Sequence, residues 1–215
     1  MQVADVSNEF DRQVQTLLSQ GYAPLAGRTE AEFRELVEPL RAQVTKRAEP
    51  MAAPTAERVP FLLVVTRELV AVEESLPLTT LAGKTKPGVI EWTFKPGELE
   101  QFVTVKESGA PDSPVYVVFD VERGEEFCSA VPLDAMAALK SRARTGLTLE
   151  EGIALLTQFP ETLAKNKCYS LSGSRREKDK RVPALWISKG APKLGWCWQG
   201  NPHTWLGMAS AGERA

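Results

Sequence analysis

Two kinds of hydrophobic spacing organise the chain. Over residues 8–20, NEFDRQVQTLLSQ, apolar side chains fall at Phe10, Val14, Leu17 and Leu18. That spacing predicts an amphipathic helix, stopped by Gly21. A second helix is predicted from Thr29, where Thr29 and Glu32 fit a capping box ahead of Phe33, Leu36, Val37 and Leu40. The two read as a helical hairpin within residues 1–47, joined by GYAPLAG. Residues 48–58, AEPMAAPTAER, have no period and read as a linker or covering arm.

The spacing then becomes that of strands. VPFLLVVT (59–66) and VYVVFDV (115–121) are continuous apolar runs, as in strands buried on both faces. LVAVE (69–73) and the alternating VIEWTF (89–94) are predicted strands, and CSAVP extends the sheet. Helices return at PLDAMAALKSRA (132–143), opened by Pro132, and after the capping box Thr148–Glu151, where Pro160 kinks or restarts the chain. CYSLS (168–172), RVPALWIS (181–188) and LGWCWQ (194–199) close the series as strands. Grouped helices and grouped strands predict an α+β fold: a single domain over 1–215, with the helical hairpin packed on the mainly antiparallel sheet of the 59–215 core.

The last two strands form a tryptophan-rich β-hairpin. If all of KGAPK (189–193) is loop, Ser188 opposes Leu194, Trp186 opposes Trp196, and Ala184 opposes Trp198. Directly opposed residues share a face, so Trp186, Trp196 and Trp198 would form one aromatic platform. A four-residue loop would instead turn Trp186 away from the other two. Such tryptophans fill a core, stack on a flat ligand or line a pocket. Both hairpin faces look apolar, which favours the core.

Composition is that of an ordinary globular chain, with 43% apolar and 25% charged residues. The N-terminus lacks a signal-peptide pattern and no apolar run is long enough to span a membrane. Cys128, Cys168 and Cys197 are odd in number and widely spaced, which predicts reduced thiols in the cytoplasm. Charge is uneven. Residues 1–150 hold 16 Lys/Arg against 23 Asp/Glu, a net of −7; residues 151–215 hold 10 against 5, a net of +5.

Candidate chemistry lies in that basic third. In SLSGSRREKDKR (170–181), Ser172 and Ser174 could offer hydroxyls, and Arg175, Arg176 and Arg181 charge, to an anionic ligand or a nucleic acid. The stretch lacks the glycine spacing of a phosphate-binding loop, and reads equally as a solvated turn. Asn201 and His203 belong to the NPHTW turn, where His203 with Cys197 or Ser174 is a weak base–nucleophile candidate. A zinc site of Cys128, Cys168, Cys197 and His203 would lack any C-x-x-C anchor, so no metal is expected. Asp120, Glu122, Glu125 and Glu126 read as a charged strand end before they read as a Mg²⁺ site.

The stretches EEGIALLTQFPETLAKNKCYSLSGSR and RVPALWISKGAPKLGWCWQGNPHTWLG resemble the C-terminal part of an uncharacterised bacterial domain-of-unknown-function family, and GYAPLAGRTEAEFRELVEPLR resembles its N-terminal helix. The resemblance implies a single compact bacterial cytoplasmic protein and carries over no functional residue. The leading expectation is non-enzymatic binding of a small or anionic ligand or partner. Ser172, Ser174, Arg175, Arg176, Arg181, Trp186, Trp196, Trp198, Asn201 and His203 would form the site, with no cofactor and no membrane. The alternatives are a hydrolase or transferase around His203, Cys197 and the 172–176 loop, or a structural or regulatory protein without a ligand site.

Overall fold

The computed structural model describes residues 5–48 and 51–215, so residues 1–4 and part of the expected linker, 49–50, lie outside the described residues. The first helix, α1 (Val6–Ser19), buries Phe10, Val14, Leu17 and Leu18 as its spacing predicts. A single turn, α2 (Tyr22–Leu25), follows Gly21, and α3 (Glu30–Val37) starts at Thr29 with both hydrogen bonds of the capping box formed. The second predicted helix is interrupted at Pro39, which lacks a backbone donor, and resumes as α4 (Leu40–Ala48).

The chain continues through β1 (Arg58–Val65), α5 (Val72–Ser75), β2 (Val89–Ile90), β3 (Val103–Thr104), β4 (Val115–Glu122), α6 (Pro132–Ser141), β5 (Thr145–Gly146) and α7 (Leu149–Gln158). It ends with β6 (Cys168–Ser170), β7 (Ser174–Arg175), β8 (Arg181–Ser188), β9 (Ala191–Trp198), β10 (Leu206–Met208), β11 (Ser210–Ala211) and β12 (Glu213–Arg214). One sheet is antiparallel, in the order β1-β4-β11-β5, with β12 also on β4. A second, β10-β6-β8-β9-β2, is mixed, with β10–β6 and β9–β2 parallel, and β3 and β7 form a separate two-stranded antiparallel sheet.

The two apolar runs are continuous because the first sheet is covered on both faces. Phe61, Leu63, Val115, Val117 and Phe119 pack against the N-terminal helices. Leu62, Val64, Tyr116 and Val118 pack against α7 and the second sheet. Gln13, polar within the α1 stripe, closes the free edge of β1. Its Nε2 donates to Phe61 O at 3.0 Å and its Oε1 accepts from Leu63 N at 2.8 Å. The fold is thus α+β, with the N-terminal helices on one face of the first sheet and α7 with the second sheet on the other.

Three expected strands are corrected. LVAVE turns instead, because Thr66 O accepts from Leu69 N and Val70 N, and Ala71 O starts α5. VIEWTF stays extended only at Val89–Ile90; Phe94 N then donates to Glu91 O and the Phe94 ring turns into the core, leaving Trp92 outside. CSAVP is a loop, with Ser129 left-handed (φ +71°) and its N–H on His203 O at 2.8 Å.

The hairpin register is corrected as well. Ser188 pairs with Ala191, so the loop is only Lys189-Gly190. Both have positive φ, +52° and +77°, as a two-residue turn matching strand twist requires. Ladder pairs alternate between hydrogen-bonded and non-bonded, and the pair after the closing one, Ile187–Pro192, is non-bonded. Pro192 therefore sits in β9 without removing a bond to β8. Trp186 now opposes Lys193, and Trp196 opposes Pro183. No three-tryptophan platform forms: Trp186 lies on one face, Trp196 and Trp198 on the other.

Candidate functional site

The polar stretch 170–181 begins at a tight crossing. Segment 145–148 passes over 171–174 so closely that a Cβ on Gly146 would overlap Ser172 Oγ, and one on Gly173 would overlap Gly146 O. These glycines serve backbone approach. Gly173 N donates to Leu147 O at 2.8 Å, and Val105 N donates to Gly173 O at 2.9 Å. Ser174 is fully buried, and its Oγ accepts from Leu149 N, a free donor in the first turn of α7, at 2.9 Å. The groups that sequence suggested for a phosphate are thus largely engaged within the chain.

Farther along, the charges are engaged too. Arg181 donates to Glu98 Oε1 at 2.5 Å and to Asp179 Oδ2 at 2.7 Å, and its guanidinium lies over the rings of Phe94, Phe102 and Trp196. Arg176 reaches the same Glu98 oxygen at 2.9 Å. The Arg181 hydrogen bond and the Lys95 N–H hold the Glu98 carboxyl down at about 2. Asp179 is likewise lowered, first by its hydrogen bond from Arg181, and Arg181 is raised by the same two carboxylates. This is an ion-pair cage fastening the 94–102 segment to the hairpin.

Arg175 differs. Its guanidinium donates to Gln199 Oε1 at 2.6 Å and Asp179 O at 3.1 Å and touches Met136 Sδ at 3.6 Å. No carboxylate is among its partners in the described residues. Its Nε is buried with no acceptor, and burial pulls its pKa down. Arg175 and Ser172 border a cleft of about 540 Å³ between α6 and the 105–108 segment. Met136, Leu139, Ala143 and Val105 give it apolar walls, and Lys140 and Glu107 stand among its charged lining residues. Arg144 also borders it, but donates to Asp120 Oδ2 at 2.6 Å. The volume falls within the range of small-molecule sites.

The other expected residues disperse. Trp196 donates from Nε1 to Thr93 Oγ1 at 3.2 Å, and Trp198, 46% exposed, meets its ring edge-on at 4.9 Å. On the opposite face Trp186 lies across Gly195, where a Cβ would overlap its ring, and packs on Trp205, which His203 also touches. Asn201 is exposed in the turn after Trp198. The His203 ring makes no hydrogen bond among the described residues. Cys197 is buried, its polar neighbour is Ser170 Oγ at 3.6 Å, and burial pushes its thiol up, away from a reactive thiolate.

Among the described residues no group of three or more His, Cys, Asp or Glu is placed to hold a metal ion. Asp120 and Glu122 are paired with Arg58, Glu125 with Arg123 and Glu126 with Arg142, so that acidic strand end is neutralised by arginines. Sequence reading missed Val105, Met136, Leu139 and Lys140. They come from separate segments, and the α6 positions look like a core stripe with a solvated lysine.

The chain belongs to DUF5701, a family of unknown function, whose family model matches residues 16–215. No curated protein and no solved structure matches the chain. No helix among the described residues is long and apolar enough to cross a membrane.

Proposed function

We propose that this chain is a non-enzymatic binding protein for a small anionic ligand with an apolar body, held in the cleft between α6 and the 105–108 segment. Arg175 is the charge partner, and the Met136, Leu139 and Val105 walls cover the apolar part. The observation that carries this reading is Arg175 itself: a half-buried guanidinium at the cleft wall, without a carboxylate partner and with Nε unused. An anion supplies the missing counter-charge through charge-assisted hydrogen bonds. The buried, raised Cys197 thiol and the unpartnered His203 ring favour binding over nucleophilic chemistry. The same reading sets the protein in a bacterial cytoplasm without a cofactor, consistent with its free thiols.

Calorimetric titration with octanoate, octanol, inorganic phosphate and single-stranded DNA tests it. Octanoate should bind at least tenfold tighter than octanol, with weak dependence on salt, and Arg175→Met should remove that preference. Equal binding of octanoate and octanol would overturn the reading. Tight DNA binding that falls steeply with salt would replace it with nucleic-acid binding.

A further inference from the structure

A second cleft, of about 510 Å³, shares Val105 with the first and has the opposite character. Its charged lining comprises Glu68, Glu100, Asp112 and Glu150 against Arg67 and Lys106. Most of the buried polar groups around it are engaged. Arg67 donates to Glu150 Oε1 and to the carbonyls of Leu99, Glu100 and Phe102. The Tyr116 hydroxyl donates to Glu151 at 3.0 Å, and Glu151 is closed by Arg214. One group is left over. Glu150 is 7% exposed, and its Oε2 is buried with no hydrogen-bond partner. A carboxylate oxygen in that position requires a donor, and Arg67 has turned its other N–H groups to the carbonyls.

We infer that this cleft binds a small organic amine in its protonated form, with the ammonium donating to Glu150 Oε2. Three features select that chemistry. The lining is net negative, which disfavours an anion. The unmet group is an acceptor, which selects a donor. Metal-ligand clustering is absent among the described residues, so a bare metal ion would find too few ligands. The Tyr116 ring and the Val105, Ala110 and Pro111 side chains give the carbon skeleton an apolar wall, and an aromatic face favours a cation. Lys106, exposed at the rim, is the chain's own competing ammonium.

The experiment is calorimetric titration of the full chain at pH 7 with cadaverine and butylamine, against butanol as the neutral isostere and butyrate as the anion. The amines should bind at least tenfold tighter than butanol and butyrate, and Glu150→Gln should reduce amine affinity at least tenfold. Lys106→Met should leave amine affinity equal or higher. Should Glu150→Gln fail to fold, the rim variant Glu100→Gln/Asp112→Asn takes its place, with an expected loss of threefold or more. Equal binding of amine and alcohol would overturn the inference. So would unchanged amine affinity in folded Glu150→Gln or in the rim variant, or a fall in Lys106→Met. Octanoate binding at Arg175 is a separate readout, so either proposal can fail alone.

Discussion

Arg175 and Arg181 belong to one polar stretch and meet opposite surroundings. Arg181 enters a cage of two carboxylates and three aromatic rings: Asp179 from two residues earlier, Trp196 from the paired strand, and Phe94, Glu98 and Phe102 from the distant 94–102 segment. Arg175 enters a cleft wall with only neutral partners. Charge counted along a sequence is therefore not charge available to a ligand; what matters is which basic groups the fold leaves without a counter-ion. The comparison breaks most directly by deletion of each cation. Arg181→Met leaves Glu98 and Asp179 together without their main partner, and should lower stability by about 3 kcal/mol in urea unfolding. Arg175→Met removes hydrogen bonds but strands no carboxylate, and should cost about 1 kcal/mol or less. Equal losses would mean that Arg175 is as structural as Arg181, and would remove its claim to a ligand.

A second variant sharpens the contrast between the two hairpin faces. Gly195 exists so that Trp186 can lie across it. Gly195→Ala should cost roughly 1–3 kcal/mol through overpacking, displace Trp186 and shift the tryptophan emission, while leaving the Arg181 cage on the other face in place. Unaltered thermal unfolding and emission would contradict the register that puts Trp186 opposite Lys193.

Local signals in the sequence carried far. Both capping boxes, at Thr29 and Thr148, form as their spacing predicts, because a cap is decided within four residues. The β1 and β4 runs are also direct readings, since burial on both faces leaves no room for alternation. What depends on distant partners was not legible. Ala191-Pro192 reads as turn, yet the proline is harmless at a non-bonded pair, so the strand begins earlier and the whole face assignment reverses. LVAVE has strand-like spacing, but its backbone groups are taken by a turn around Thr66. Arg175 and Ser172 were visible as candidates. The cleft beside them was not, because Val105, Met136 and Leu139 are brought together only by the fold.

The smallest expected effect concerns acid. Glu98 titrates at about 2 in the folded protein, below the ordinary carboxylate value of 4.5, because Arg181 and the Lys95 N–H favour its charged form. A group with a lowered folded pKa binds fewer protons folded than unfolded, so its contribution to stability is fully present above about pH 4.5 and is lost as pH falls toward 2. The cage should therefore loosen in that window, carrying with it the 94–102 segment and the environment of Trp196. Asp179, lowered by the same arginine, adds to the slope. Urea midpoints measured from pH 6 down to pH 2.5 should fall less steeply in Glu98→Gln than in the parent, whereas Arg175→Met should keep the parent slope, since no carboxylate depends on it. A Glu98→Gln slope identical to the parent would show that Glu98 is not a titrating partner of the cage, and the distinction between the two arginines would then rest on Asp179 and packing.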